Sequence, residues 1–157
     1  MKKIGIADTM FSRFDMGNLA ISTIKDSGES IKTERYTVPG VKDLPVACKI
    51  LFEDHGCDIV MALGMPGPKQ IDKQCAHEAT IGLMNVQLEK KKHIIEVFVH
   101  IDEAENERKL TEIVKDRTIK HARNAIALLK GKTELTRFAG QGIRQGGENA
   151  GPLVHIY

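Results

Sequence analysis

Apolar positions recur along the chain in two alternating rhythms. Short continuous or alternating runs, the mark of strands, are separated by stretches with apolar residues every three to four positions, the mark of helices. Ile4–Ala7 is a run of the buried-strand type. Asp15 stands where it would cap a helix carrying Met16, Leu19, Ala20 and Ile24, which Ser27-Gly28 ends. Ile31–Val38 alternates in part and predicts a strand near a sheet edge, broken by Pro39-Gly40. Asp43 is the predicted N-cap of a second helix, with Pro45 in its first turn, a stripe of Val46, Ala47, Ile50 and Leu51, and Gly56 as its stop. Asp58–Leu63 is a continuous apolar run, expected of a strand covered on both faces, and Gly64-Met65-Pro66-Gly67-Pro68 is a loop of breakers. Asp72 is expected to open a third helix reaching Glu89, with Ala76, Ala79, Ile81, Leu83, Met84 and Val86 as its apolar surface. His93–His100 is the fourth predicted strand. A long helix is expected from Asp102 to Lys130, with Glu103–Lys109 exposed, Ile126, Leu128 and Leu129 packed, and Gly131 as its stop.

Strands alternating with helices predict the α/β class: a four-stranded parallel sheet flanked by helices on both faces, in a single domain spanning 1–157. Residues 132–157 lack periodicity and form an irregular C-terminal tail. Ligands on such sheets bind outside the carboxyl ends of the strands. That rule selects the loops Asp8–Phe14, Pro39–Leu44, Gly64–Ile71 and His100–Asp102. The two open sheet edges call for cover, which oligomerisation supplies.

Composition narrows the function. With 157 residues, 41% hydrophobic and 28% charged, the chain is too apolar and too balanced for a disordered segment. A net charge of +2 and 4% aromatics without tryptophan argue against a nucleic-acid partner. No apolar run reaches the ~18 residues of a membrane span. The absence of a signal-type hydrophobic segment leads to the expectation of a cytoplasmic protein. Cys48, Cys57 and Cys75, an odd count without a Cys-x-x-Cys pair, are expected to be free thiols.

The first loop places Thr9 and Phe11 after a strand, where an apolar ring suits a flat heteroaromatic ligand. The second, Val38-Pro39-Gly40-Val41-Lys42-Asp43, is stiffened by proline and leads into a helix N-terminus. The third, with Met65, Pro66 and Gly67, lacks the Gly-Lys-Ser/Thr ending of a triphosphate loop. Cys75 and His77 point in different directions on a helix, so no closed metal site is expected. His77 and Glu78 remain as acid/base or polar contacts, and Phe98 and His100 lie at the end of the fourth strand. Gly140-Gln141-Gly142 in the tail follows no strand and is not a dinucleotide fingerprint.

Taken together, several segments carry a resemblance: Ile4-Gly5-Ile6-Ala7-Asp8-Thr9, Thr37-Val38-Pro39-Gly40, Gly56–Gly67, Cys75-Ala76-His77-Glu78-Ala79, Ile94–His100, and the tail pieces Leu135-Thr136-Arg137 and Arg144-Gln145-Gly146. The chain resembles the archaeal riboflavin synthase family over nearly its whole length. The resemblance implies a lumazine synthase-like fold and a homopentamer with sites between subunits. It implies dismutation of two molecules of 6,7-dimethyl-8-ribityllumazine, without a redox cofactor. Position near the strand ends makes His77 and His100 the candidate catalytic groups for this reaction, and Thr9, Phe11, Val38, Pro39, Gly40, Val41, Lys42, Asp43, Met65, Pro66, Gly67, Glu78 and Phe98 the candidate substrate contacts. A divalent cation, Mg²⁺, is associated with the family, but no residue of the sequence secures it. The alternatives are a lumazine synthase and a non-catalytic lumazine- or flavin-binding protein. Against the first, the histidine that lumazine synthases carry after the third strand falls near Ile71 here, and the Arg-Gly segment of their loop is missing.

Overall fold

The computed structural model describes residues 1–153; the last four residues of the expected tail lie outside them. Strands β1 (Lys2–Thr9), β2 (Ile31–Val38), β3 (Ile59–Gly64) and β4 (Ile94–Phe98) form one parallel sheet in the order β2-β1-β3-β4. Helices α1 (Met16–Asp26) and α4 (Glu107–Lys130) cover one face; α2 (Leu44–Glu53) and α3 (Gln70–Lys90) cover the other.

Period-two alternation sorts the strand side chains between two cores. Ile4, Ile6, Met61, Leu63 and Val97 pack with Met16, Val114 and Ala125 on the α1/α4 face. Ala7, Val60, Ala62 and Ile94 pack with Leu51, Cys57 and Leu83 on the α2/α3 face. Gly5 makes that second layer possible: a Cβ there would lie 2.9 Å from Val60 and 3.2 Å from Leu51. The continuous apolar run of β3 is buried at every position, and the half-exposed β2 is an edge strand, both as expected.

Several boundaries differ from expectation. Asp43 does not cap α2 through its side chain. It closes a 3₁₀ turn, Val41–Asp43, and its carboxylate accepts the Gly40 N–H at 3.3 Å. Asp72 lies inside α3 and accepts the Lys69 N–H at 3.0 Å. The long helix starts late, at Glu107 under an Asn106 cap, because Ile101–Glu103 forms a separate 3₁₀ turn. Val46, Ile81 and Met84 are exposed, since α2 and α3 meet the sheet and each other through smaller or neighbouring residues such as Ala47, Ala79 and Leu83. Ile126 is buried, and Leu128 and Leu129 pack against the first core, as predicted. No helix among the described residues is long and apolar enough to cross a membrane.

Candidate functional site

The loops after β2, β3 and β4 share one local device. In each, an acidic residue three positions on accepts a backbone N–H and holds the turn: Gly40 to Asp43, Lys69 to Asp72, and His100 to Glu103 at 2.7 Å. Proline, glycine and these carboxylates together shape the turns at the carboxyl end of the sheet.

Two of the clefts at that end hold most of the sequence candidates. The first, about 240 Å³, is lined by Phe11, Gly40, Val41, Lys42, Asp43, Pro66, Gly67, Asp72 and Cys75 and is mostly apolar. It unites seven of the residues named from sequence. Gly67 is required there, because a Cβ would sit 2.5 Å from the Asp72 carboxylate. Lys42 reaches over the rim to Glu78, 3.0 Å away. The contact holds the Glu78 carboxyl below its usual range and the Lys42 ammonium above its own.

The second cleft, about 550 Å³, is polar. His77 and Thr80 of α3, Glu96 and Phe98 of β4, His100, Glu103, and Arg117 and His121 of α4 face it. Arg117 organises its floor. One guanidinium nitrogen donates to the Phe98 carbonyl and to Glu103, each at 2.9 Å; the other donates to Glu103 at 2.8 Å and to the Gly146 carbonyl at 2.9 Å. The aperiodic tail is thereby laid against α4. Burial raises the Glu103 carboxyl, but Arg117 and the His100 N–H bring it below its usual range overall. Burial, with Arg117 nearby, pulls the His121 imidazole down to about 4. Lys73 pairs with Asp102 at 2.8 Å beside the cleft. Glu96 is different: burial lifts its carboxyl, while the Thr80 hydroxyl and the His100 charge oppose that rise only in part.

The clefts share a wall. Gly64 has no side chain, and Val41 and the Phe98 ring close over it; a Cβ there would lie 2.9 Å from Val41 and 3.2 Å from Phe98.

Other sequence candidates fall elsewhere. Val38 and Met65 are buried in the two cores, so their side chains support loops rather than line a cleft. Pro39 is exposed and turns the chain into the first cleft. Thr9 bonds Ser12 at 2.7 Å in a third, polar hollow with Asp8 and Arg35. His77, His100 and Phe98 are brought together, but in the polar cleft, apart from the loops around Phe11. Sequence reading passed over Glu96, Thr80, Arg117 and His121. The available signal was polarity out of place: Glu96 interrupts an apolar strand, and Arg117 falls on the buried stripe Leu110–Val114–Thr118 of α4. Cys48 and Cys57 are buried free thiols, the first with its pKa far above the ordinary thiol range and the second pushed up to about 11, and Cys75 is half-buried. Among the described residues no three His, Cys, Asp or Glu side chains converge as a cation cage.

Residues 1–133 match the sequence model of the 6,7-dimethyl-8-ribityllumazine synthase family. The curated riboflavin synthase of Methanothermobacter thermautotrophicus is 53% identical over 153 residues, covering 98% of this chain and 100% of that protein. Those of Archaeoglobus fulgidus and Aeropyrum pernix are 48% and 42% identical, each over 97% of this chain and 99% and 98% of their own lengths.

Proposed function

We infer that the chain, which belongs to the 6,7-dimethyl-8-ribityllumazine synthase family, acts as a riboflavin synthase. Two molecules of 6,7-dimethyl-8-ribityllumazine enter. One gives a four-carbon unit to the other, and riboflavin and 5-amino-6-ribitylamino-pyrimidinedione leave. Electrons and atoms balance between two copies of one substrate, so no outside oxidant is required.

The observation that carries this reading is the pair of unlike clefts at one end of the sheet, divided by Val41 and Phe98. The apolar cleft suits a planar ring, with Phe11, Val41 and Pro66 as its walls and Gly40, Lys42 and Asp43 offering polar contacts at its rim. The polar cleft supplies the Phe98 ring with His77 and His100 as proton-handling imidazoles. At about 240 Å³ the apolar cleft is smaller than most ligand sites, which run to roughly 300–1,000 Å³. A neighbouring subunit that sets its polar cleft opposite this apolar one completes the enclosure. In a closed ring every interface is the same head-to-tail contact, so each carries one site. The exposed apolar residues Val46, Ile81, Met84 and Leu88 support such an assembly, here a homopentamer. Catalysis is then mainly positioning: well-oriented partners reach effective molarities of about 10⁵–10⁸ M.

The test supplies purified chain with the lumazine alone. Riboflavin must appear with two lumazines consumed per product. A stable complex without turnover would leave a binding protein instead. Supplying the pyrimidinedione with a four-carbon phosphate tests lumazine synthase activity, which is expected to be absent: Ile71 stands exposed at the start of α3 and offers no proton-transfer group.

A further inference from the structure

We propose that Glu96 is the proton acceptor of the reaction, held for that role by the Thr80 hydroxyl in the polar cleft; this rests on the riboflavin synthase reading.

Glu96 is the third residue of β4, an edge strand, and shares the α3-facing side with Ile94 and Phe98. Its register partner on β3 is the small, buried Ala62. The carboxylate is half-buried in the cleft, and among the described residues it has no salt-bridge partner. The other carboxylate lining the cleft, Glu103, is committed to Arg117, as Asp102 beside it is to Lys73. A structural carboxylate buried to this degree is normally paired or fully hydrogen-bonded. Among the described residues Glu96 instead has one hydrogen-bond partner, the Thr80 hydroxyl.

That hydroxyl also lies 3.0 Å from the Ala76 carbonyl, one turn back on α3. One O–H cannot serve both oxygens, and the two choices match the two states of a carboxyl group. When Glu96 is ionised, Thr80 donates to it. When Glu96 carries a proton, Glu96 donates to the Thr80 oxygen, and Thr80 turns its own proton to Ala76. Both states are hydrogen-bonded without heavy-atom movement, so the group gains and loses a proton at little reorganisation cost. Burial, by lifting the carboxyl above its usual range, makes the ionised form a stronger base.

The step balances. The carboxylate takes a proton from the 7-methyl group of a bound lumazine. The C–H bond breaks, an O–H bond forms, and the electron pair moves into the conjugated ring as an exocyclic methylene anion, the nucleophile toward the second lumazine. The proton later passes to the nitrogen of the departing amine. His100 stands on the same wall, with its Nδ1 buried and unpartnered among the described residues, placed to relay that proton.

The groups facing Glu96 are Lys73 and His77 from α3, His100 and Glu103 after β4, and Arg117 and His121 from α4. The experiment separates Glu96 from these. Glu96→Gln should lower kcat by about 100-fold or more, the range for a lost general base. Lumazine affinity, read by the ligand's own fluorescence, should stay within about threefold of wild type, and enzyme-accelerated deuterium uptake into the 7-methyl group should disappear. In the wild type, kcat should fall at low pH as Glu96 protonates. Thr80→Val should move that limb, and His77→Gln should keep it. A Glu96→Gln enzyme with unchanged kcat and deuterium uptake overturns the proposal while leaving the function standing. If the wild type makes no riboflavin, the functional reading fails, and this proposal falls with it. If Glu96→Gln does not fold, Thr80→Val decides, and an unmoved pH profile counts against the proposal.

Discussion

Arg117 is 9% exposed and makes four hydrogen bonds that tie α4 to the end of β4, to the turn at Glu103 and to the tail at Gly146. Replacing it by Met keeps most of the stem's packing and removes the charge. Removing one partner of a buried pair costs roughly 3–5 kcal/mol. Glu103 is 32% exposed at its side chain, so water can reach the abandoned carboxylate. The lower end of that range, about 3 kcal/mol, is therefore the expected loss for Arg117→Met. Glu103→Gln retains an acceptor for the His100 N–H and for one Arg117 nitrogen, and about 2 kcal/mol is expected, in the range of a charged hydrogen bond. The double variant should cost less than the sum, with a coupling of about 1.5–3 kcal/mol. Urea unfolding at one fixed protein concentration measures all four corners, since assembly makes stability depend on concentration. The pH arm follows from the lowered Glu103 carboxyl. Its stabilisation is present above the unfolded value of about 4.3 and is lost as pH falls through the lower folded value. Glu103→Gln should abolish that loss. A coupling below about 0.5 kcal/mol would place the pair among ordinary surface ion pairs and refute the reasoning.

Gly67→Ala should destabilise by about 1 kcal/mol, the worth of a helix cap, because the new methyl displaces the Asp72 carboxylate from Lys69; urea midpoints and lumazine affinity should both fall. The half-buried His121, depressed to about 4, resists protonation that the unfolded chain accepts near 6.5. Stability should therefore drop as pH falls from about 6.5 toward 4, and His121→Gln should flatten that slope in thermal melts. Removing residues 132–157 should leave a folded core by circular dichroism but lower kcat/KM, since Arg117 loses its Gly146 contact at the edge of the polar cleft; unchanged kcat/KM would make the tail a passive appendage. Alkylation should reach Cys75 well before Cys48 or Cys57, and bound lumazine should slow it, as followed by intact mass.

The strands and their order of alternation with helices were legible because β1, β3 and β4 centre on apolar runs and β2 alternates in part up to Pro39-Gly40. Helix starts were less so. Asp43, Asp72 and Glu103 each announce a turn, but they do so by accepting a backbone N–H three residues back, a geometry that shifts the apparent start by a few residues. The charged run Glu103–Lys109 hid the Asn106 cap. The loops of the apolar cleft could be read from their stiffness and position at strand ends. The polar cleft could not be read in full, because Glu96, Thr80, Arg117 and His121 come from one strand and two helices and converge only when α3 and α4 pack at the β4 edge.

Val41 and Phe98 both stand over Gly64, which couples the ways this chain can vary. Val41 lines one cleft and Phe98 the other, and both rest on Gly64, so neither cleft can be remodelled alone. A larger residue at 64 would push Val41 toward one ligand and Phe98 toward the other at once. Positions 41, 64 and 98 therefore form a unit of exchange. A loop graft that imports a new residue at one of them should succeed only when the other two are brought with it.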